Sequence, residues 1–249
     1  MGDYGFDASW TDEQRRLSLI EQCWDPASRR QLRDAGLAQG WHCLEIGAGN
    51  GSISRWMRGE VGPTGRVVAM DLDTRFFAED PGIEAVQGNV LVDDLEGSAF
   101  DVVHCRNVLH HLAGNQVTAL RRMLEALRPG GVMVAREPWL TATFTAPNAA
   151  YAEAWRAVDA AVPADYEWAT ALASAFADAG FVDIRATADS DMIQGATPMA
   201  HLVQLTVEAV RQRVPAGRDI DAGIAVLDDP SVIHPGPIFY CASGRRPID

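Results

Sequence analysis

The run Leu44-Glu45-Ile46-Gly47-Ala48-Gly49-Asn50-Gly51-Ser52 constrains this chain more than any other stretch, because three alternate glycines interrupt a strand-like segment and lead into a helix-like one. Trp41 to Ile46 reads as a short buried strand. Beyond the glycines, Ile53, Trp56 and Met57 recur at helical spacing between Ser52 and Arg58. Glycine tolerates positive φ and lacks a Cβ, so such a turn can be tight and can let a ligand approach the backbone, with helix-terminal N–H groups aimed at it. A turn of this kind can also serve only to pack a strand against a helix, so its neighbours must decide.

Those neighbours alternate strand and helix. Arg66 to Met70 reads as a second strand and ends at Asp71-Leu72-Asp73, which places a carboxylate twenty residues beyond Gly51. An ionised carboxylate at the C-terminal end of a strand can accept both hydroxyls of a ribose, and Asp71 is better placed for this than Asp73. Val86 to Val90 reads as the third strand and Phe100 to Cys105 as the fourth, followed by Arg106 to Leu112 with its His110-His111 pair. Leu127-Arg128-Pro129-Gly130-Gly131 then introduces a strand from Val132 to Ala135.

Taken in this order, the motifs resemble those of the class I S-adenosylmethionine-dependent methyltransferases, in particular their small-molecule branch, densely over residues 40 to 137. Glu45 with Gly47, Gly49 and Gly51 matches the family's acid and Gly-x-Gly-x-Gly, and Asp71 its ribose acid; Leu127 to Gly131 and the two histidines match later motifs. The resemblance implies an α/β, Rossmann-like, seven-stranded sheet, mostly parallel with an antiparallel last strand, helices on both faces and helical lid inserts. It also implies S-adenosyl-L-methionine as cofactor, held by Glu45, Gly47, Gly49, Gly51, Asp71, Leu72, Asn89, Val90 and Arg106. The chain departs from the pattern at Asn89, where the family often has an aspartate for the adenine amino group; an amide oxygen can accept the same hydrogen bond.

The competing reading is a dinucleotide-dependent oxidoreductase, whose Gly-x-Gly-x-x-Gly fingerprint would need its third glycine where this chain has Ser52. Glu45 before the turn would oppose a pyrophosphate, whereas it suits the cationic amino group of a methionine moiety. A methyltransferase-like protein that uses the cofactor without methyl transfer is a further alternative.

A length of 249 residues leaves room for one α/β domain and a small cap. Residues 1–39 are expected to form an N-terminal helical extension covering the cofactor, with Thr11 as cap, Leu17, Ile20 and Trp24 on one face, and Pro26 just beyond the end. Trp10 and Arg15 would then lie either near the methionine end or in core and solvent roles. Residues 40–249 form the methyltransferase domain, in which Thr170 to Ala179 reads as a helix capped by Gly180, Phe181 to Ala186 as the sixth strand, and Ile238 to Ala242 as the last. Two inserts, 138–167 and 194–230, follow strands five and six and are placed to roof a site at the strands' carboxyl ends. The first is dense in aromatics (Trp139, Phe144, Tyr151, Trp155, Tyr166, and Trp168 beside it), which can form either an acceptor pocket or the lid's own core.

Charge and cysteine usage narrow the partners. The net charge of -13, with arginine supplying every basic side chain but histidine, argues against nucleic acid. Cys23, Cys43, Cys105 and Cys241 are scattered, which fits free thiols rather than zinc or disulfides. Neither a leader-like N-terminus nor an apolar run of about 20 residues is present, so a cytoplasmic protein is expected. Homo-oligomerisation stays open.

Methyl transfer from a sulfonium is an in-line displacement, in which alignment and exclusion of water supply much of the acceleration. An acceptor that must lose a proton needs a base, and His111, Glu137 and His201 are the candidates. No metal is expected, since His104, Cys105, Arg106 and Asn107 after strand four lack a carboxylate cluster. The acceptor expected is a small aromatic or apolar metabolite or natural product.

Overall fold

The strands form where short apolar runs alternate with amphipathic segments, and the inner ones are buried on both faces, as parallel strands covered by helices must be. The computed structural model describes residues 12–77, 80–215 and 220–248. Its sheet comprises β1 (His42–Ile46), β2 (Arg66–Asp71), β3 (Glu84–Gln87), β4 (Phe100–Arg106), β5 (Leu127–Trp139), β6 (Val182–Gln194) and β7 (Ile233–Arg245). They lie in the order β3-β2-β1-β4-β5-β7-β6. The first five run parallel, and β7 inserts antiparallel to both β5 and β6.

Helices cover both faces. On one side α1 (Glu13–Asp34) and α2 (Ser52–Val61) bury Leu32, Ile53 and Met57 against Val67, Val102 and Val134. On the other, α3 (Gln116–Ala126) and α6 (Leu172–Ala179) bury Leu120 and Phe176 against Leu44, Val103 and Met133. The inserts supply the short α4 (Thr141–Phe144), then α5 (Ala149–Ala161), α7 (Pro198–Ala209) and α8 (Asp221–Ala225). These build a third core from Tyr151, Trp155, Val158, Val203 and Val207.

Several boundaries differ from expectation. α1 continues through Pro26 instead of stopping before it; the backbone bond lost at the proline is offset by Leu32 packing and by ion pairs of the preceding Asp25 with Arg29 and Arg106. Asp12 occupies the N-cap position without a side-chain cap bond, while Thr11 and Trp10 lie outside the described residues. β3 ends at Gln87, so Asn89 and Val90 sit in the turn beyond it. β6 and β7 each extend to thirteen residues. The polar Asp189-Ser190-Asp191 stretch hides the first extension from pattern reading, but antiparallel pairing with β7 and an ion pair from buried Arg136 to Asp189 at 2.6 Å sustain it. Gly180 caps α6 with φ 103°, as expected. Among the described residues no helix is long and apolar enough to cross a membrane.

Candidate active site

The glycine turn joins β1 to α2 at the carboxyl end of the sheet, next to the point where strand order reverses between β1 and β4. In open α/β sheets this is where ligands bind. Gly47 has φ 74°, and a Cβ there would lie 2.3 Å from Val108 Cγ2; Gly51 has φ 85°, and a Cβ there would lie 2.2 Å from the Phe77 ring. Both positions therefore exclude a side chain. Asp71 braces the turn from β2, its Oδ2 accepting the Gly49 N–H at 2.8 Å and its Oδ1 the Asp73 N–H at 3.0 Å. Burial raises the Asp71 carboxyl above its usual range, against the opposing pull of those two N–H donors. A carboxylate has about four lone-pair positions, so two remain for a diol.

A cavity of about 440 Å³ opens over this turn. Every residue expected at the cofactor except Gly51 lines it: Glu45, Gly47, Gly49, Asp71, Leu72, Asn89, Val90 and Arg106. Gly51 instead shapes the turn from behind, where its missing side chain makes room for Phe77. Leu72, half exposed, and the buried Val90 are apolar surfaces at the strand ends.

Three of these residues bond differently from expectation. Glu45 is directed partly into the protein: Oε2 accepts from Ser54 Oγ, and Oε1 lies 3.5 Å from the buried His104 Nδ1. Asn89 Oδ1, expected to receive an adenine amino group, accepts the Leu91 N–H at 2.9 Å, while its side-chain N–H₂ adds donor capacity at the cavity. Arg106 reaches toward α1, pairing with Asp25 at 3.0 Å and donating to Ser28 Oγ at 3.2 Å. Its guanidinium ties the N-terminal helix to β4.

The candidate bases separate clearly. His201 does not line the cavity, although its helix neighbours Met199, Leu202 and Val203 do; on α7 the helical turn directs those three inward and His201 elsewhere. Glu137 does not line it either. It is fully buried at the end of β5, where Oε1 accepts the Val108 and Leu109 N–H groups, each at 3.0 Å, and Oε2 accepts the His110 N–H at 3.2 Å. The same Oε2 lies 2.5 Å from His110 Nδ1. Glu137 therefore faces His110 and the turn after β4 rather than the cavity.

His110 lines the cavity, stacks on Tyr166 at 4.9 Å between centroids, and accepts the Asp165 N–H with its backbone carbonyl at 2.8 Å. In the tautomer that donates Nδ1–H to this carboxylate, Nε2 carries the lone pair. His111 also lines the cavity; burial first, then the nearby His110 and Arg16, lower its pKa well below the usual histidine value. It is held neutral.

The rest of the cavity is dominated by apolar side chains, with Leu140, Trp155, Val158 and Tyr166 from the first insert and Met199 and Leu202 from the second. The insert aromatics divide: Trp155 and Tyr166 form wall, whereas Tyr151 packs in the core of the inserts and donates its hydroxyl to the Pro235 carbonyl at 2.7 Å. From α1 the wall also receives the buried Arg16–Glu13 pair, while Arg15 is exposed. Among the described residues no group of three His, Cys, Asp or Glu side chains gathers as a metal site.

The strand order, with its glycine turn and strand-end acid, is that of the class I S-adenosylmethionine-dependent methyltransferase fold. In keeping with this, residues 44–133 match the family model for a methyltransferase domain. No curated protein matches the chain. Among solved structures, a Haemonchus contortus phosphoethanolamine N-methyltransferase 2 in complex with S-adenosyl-L-methionine is similar over 95% of this chain and 58% of its own, at 16% identity and TM-score 0.62. A Mesorhizobium loti S-adenosylmethionine-dependent methyltransferase is similar over 92% and 100%, at 18% identity and TM-score 0.54. The (4+2)-cyclase SpnF is similar over 99% and 87%, at 15% identity and TM-score 0.58. At these identities the likeness is one of fold.

Proposed function

We propose that this protein transfers the methyl group of S-adenosylmethionine to a hydroxyl oxygen of a small aromatic or apolar metabolite, without a metal ion. The observation that carries the choice of oxygen is the His110–Glu137 pair at the cavity wall. A neutral amine attacks through its own lone pair, whereas a phenol or enol becomes a strong nucleophile only as its proton leaves. Bound S-adenosylmethionine supplies a methyl group activated by a sulfonium. The chain aligns and desolvates: Asp71 and the glycine turn take the nucleoside end, Trp155, Tyr166 and Leu140 exclude water, and His110 Nε2 accepts the acceptor's proton. Glu137 keeps the imidazole in the tautomer with Nε2 free of hydrogen and stabilises the imidazolium that follows.

The experiment is calorimetry with S-adenosylhomocysteine followed by a radiolabelled methyl-transfer screen of phenols and amines. Micromolar-range binding, lost in Asp71→Ala, together with phenol methylation is the expected outcome. Tight binding of a nicotinamide dinucleotide in its place, or methylation confined to amines, refutes the proposal. The likeness to a cyclase of the same fold supports a second reading, catalysis on a cofactor that is not consumed; it predicts substrate turnover with no S-adenosylhomocysteine formed. A cytoplasmic setting, with no nucleic-acid partner, completes the proposal.

A further inference from the structure

Glu21 on α1 lies over the glycine turn beside Asn50 and Ser52, and both Glu21 and Asn50 line the cavity. The Glu21 carboxylate lies within hydrogen-bonding reach of the Asn50 and Ser52 side chains, yet its buried Oε1 receives no hydrogen bond. Asn50, only 9% exposed, donates its Nδ2 to Ser18 Oγ at 3.3 Å, and its Oδ1 likewise has no donor. Buried acceptors without donors are rare in folded proteins because each forfeits its hydration without replacement. Two of them meet here, on opposite sides of the seam between the N-terminal helix and the turn.

The seam itself is firmly made, so these oxygens are not the product of a loose helix. Ser52 Oγ donates to Asp25 Oδ1 at 3.1 Å, Arg55 Nη2 donates to the Asn50 carbonyl at 2.6 Å, and Arg106 holds Asp25 from β4. What the two oxygens lack is a donor with several N–H groups. An ammonium has three. Glu45, the acid expected to meet it, already commits one oxygen to Ser54 and turns the other toward His104.

We infer that α1 supplies the binding site for the amino-acid ammonium of the cofactor, with Glu21 Oε1 and Asn50 Oδ1 as its acceptors; the inference rests on the S-adenosylmethionine reading above. Burial, then the nearby Asp25, raise the Glu21 carboxyl, against the opposing effects of Arg55, Asn50 and Ser52, so an added cation stabilises the ionised form. Cofactor binding and the docking of α1 are then a single event. The helix is a structural part of the cofactor site rather than only its cover.

The test compares two ligands on the full-length protein by calorimetry. S-adenosylhomocysteine carries the ammonium, whereas 5′-methylthioadenosine keeps the nucleoside and sulfur and lacks it. Glu21→Gln, which keeps shape and removes charge, is expected to weaken S-adenosylhomocysteine by about tenfold to a hundredfold, the range for a charged hydrogen bond. It should leave 5′-methylthioadenosine within about twofold, the margin expected where no contact is lost. Asn50→Ala should show the same selectivity to a smaller degree. Equal weakening of both ligands by Glu21→Gln, or no weakening of either, overturns the inference. If the unaltered protein binds neither ligand, the cofactor reading itself has failed, and the inference with it.

Discussion

Replacing Glu137 by glutamine tests the proposed chemistry most directly, because the carboxylate does not line the cavity yet bonds His110, which does. In the native arrangement its two oxygens receive three backbone N–H groups, and Oε2 lies 2.5 Å from His110 Nδ1. Glutamine can keep one oxygen toward Val108 and Leu109, but its N–H₂ then faces the His110 N–H and ring. The imidazole is driven to the opposite tautomer, with hydrogen on Nε2. Loss of a correctly placed base costs about 10² to 10⁴ in kcat, or about 3–5 kcal/mol of barrier. Two hydrogen bonds to a buried charge are also lost, at about 1.5–3 kcal/mol each. Each kcal/mol lowers Tm by about 2–4 °C in a domain of this size. Single-turnover methyl transfer, measured across pH beside a thermal melt and an S-adenosylhomocysteine titration, separates these effects. The expected result is a collapsed rate with near-native cofactor affinity, no further loss in the His110→Gln/Glu137→Gln double variant, and a lower Tm. A rate within about threefold of wild type, well short of what a lost base costs, would refute the dyad and leave Glu137 as a cap for the turn after β4.

Two further outcomes follow from the geometry. Because the pKa of His111 is lowered in the folded protein, the unfolded chain binds its proton more readily between that value and about 6.5. The associated stability is complete above about pH 6.5 and declines as pH falls below it, by up to about 1.4 kcal/mol per pH unit. His111→Gln should flatten this acid limb in melts taken from neutral to mildly acid pH, and an unchanged limb contradicts the assignment. Gly51→Ala should destabilise through both its φ of 85° and the encroachment on Phe77, the backbone share alone being about 1–3 kcal/mol. In a double-mutant cycle Phe77→Ala should relieve the steric share only; strict additivity in that cycle would show that Phe77 is not what the glycine accommodates.

Much of the cofactor half could be read from the chain alone because its signals are local. Gly47, Gly49 and Gly51 report positive φ, Asp71 ends an apolar strand, and Gly180 closes a helix; each depends on its immediate neighbours. The boundaries that moved are those governed by distant partners. Pro26 stays within α1 where Arg106, 81 residues away in sequence from Asp25, bonds Asp25 before the proline and Ser28 after it. The polar half of β6 is a strand because β7 pairs with it. The insert aromatics could not be divided into wall and lid core by counting, since Trp155 and Tyr151 share one helix and differ only in what surrounds them.

The sequence by itself determined the order of strands and helices, the glycine turn and the acid at the end of β2, because backbone sterics and hydrophobic periodicity act within a few residues. Only the tertiary structure decided which histidine is oriented and by what. Glu137 and His110 are 27 residues apart, and the bond between them exists because β5 and the turn after β4 end side by side. It likewise decided that Glu45 turns partly inward to Ser54 while Glu21, from a helix outside the sheet, stands over the turn. Hydrogen bonds of this kind depend on angstrom-scale approach between distant segments, and no local pattern in the chain encodes that distance.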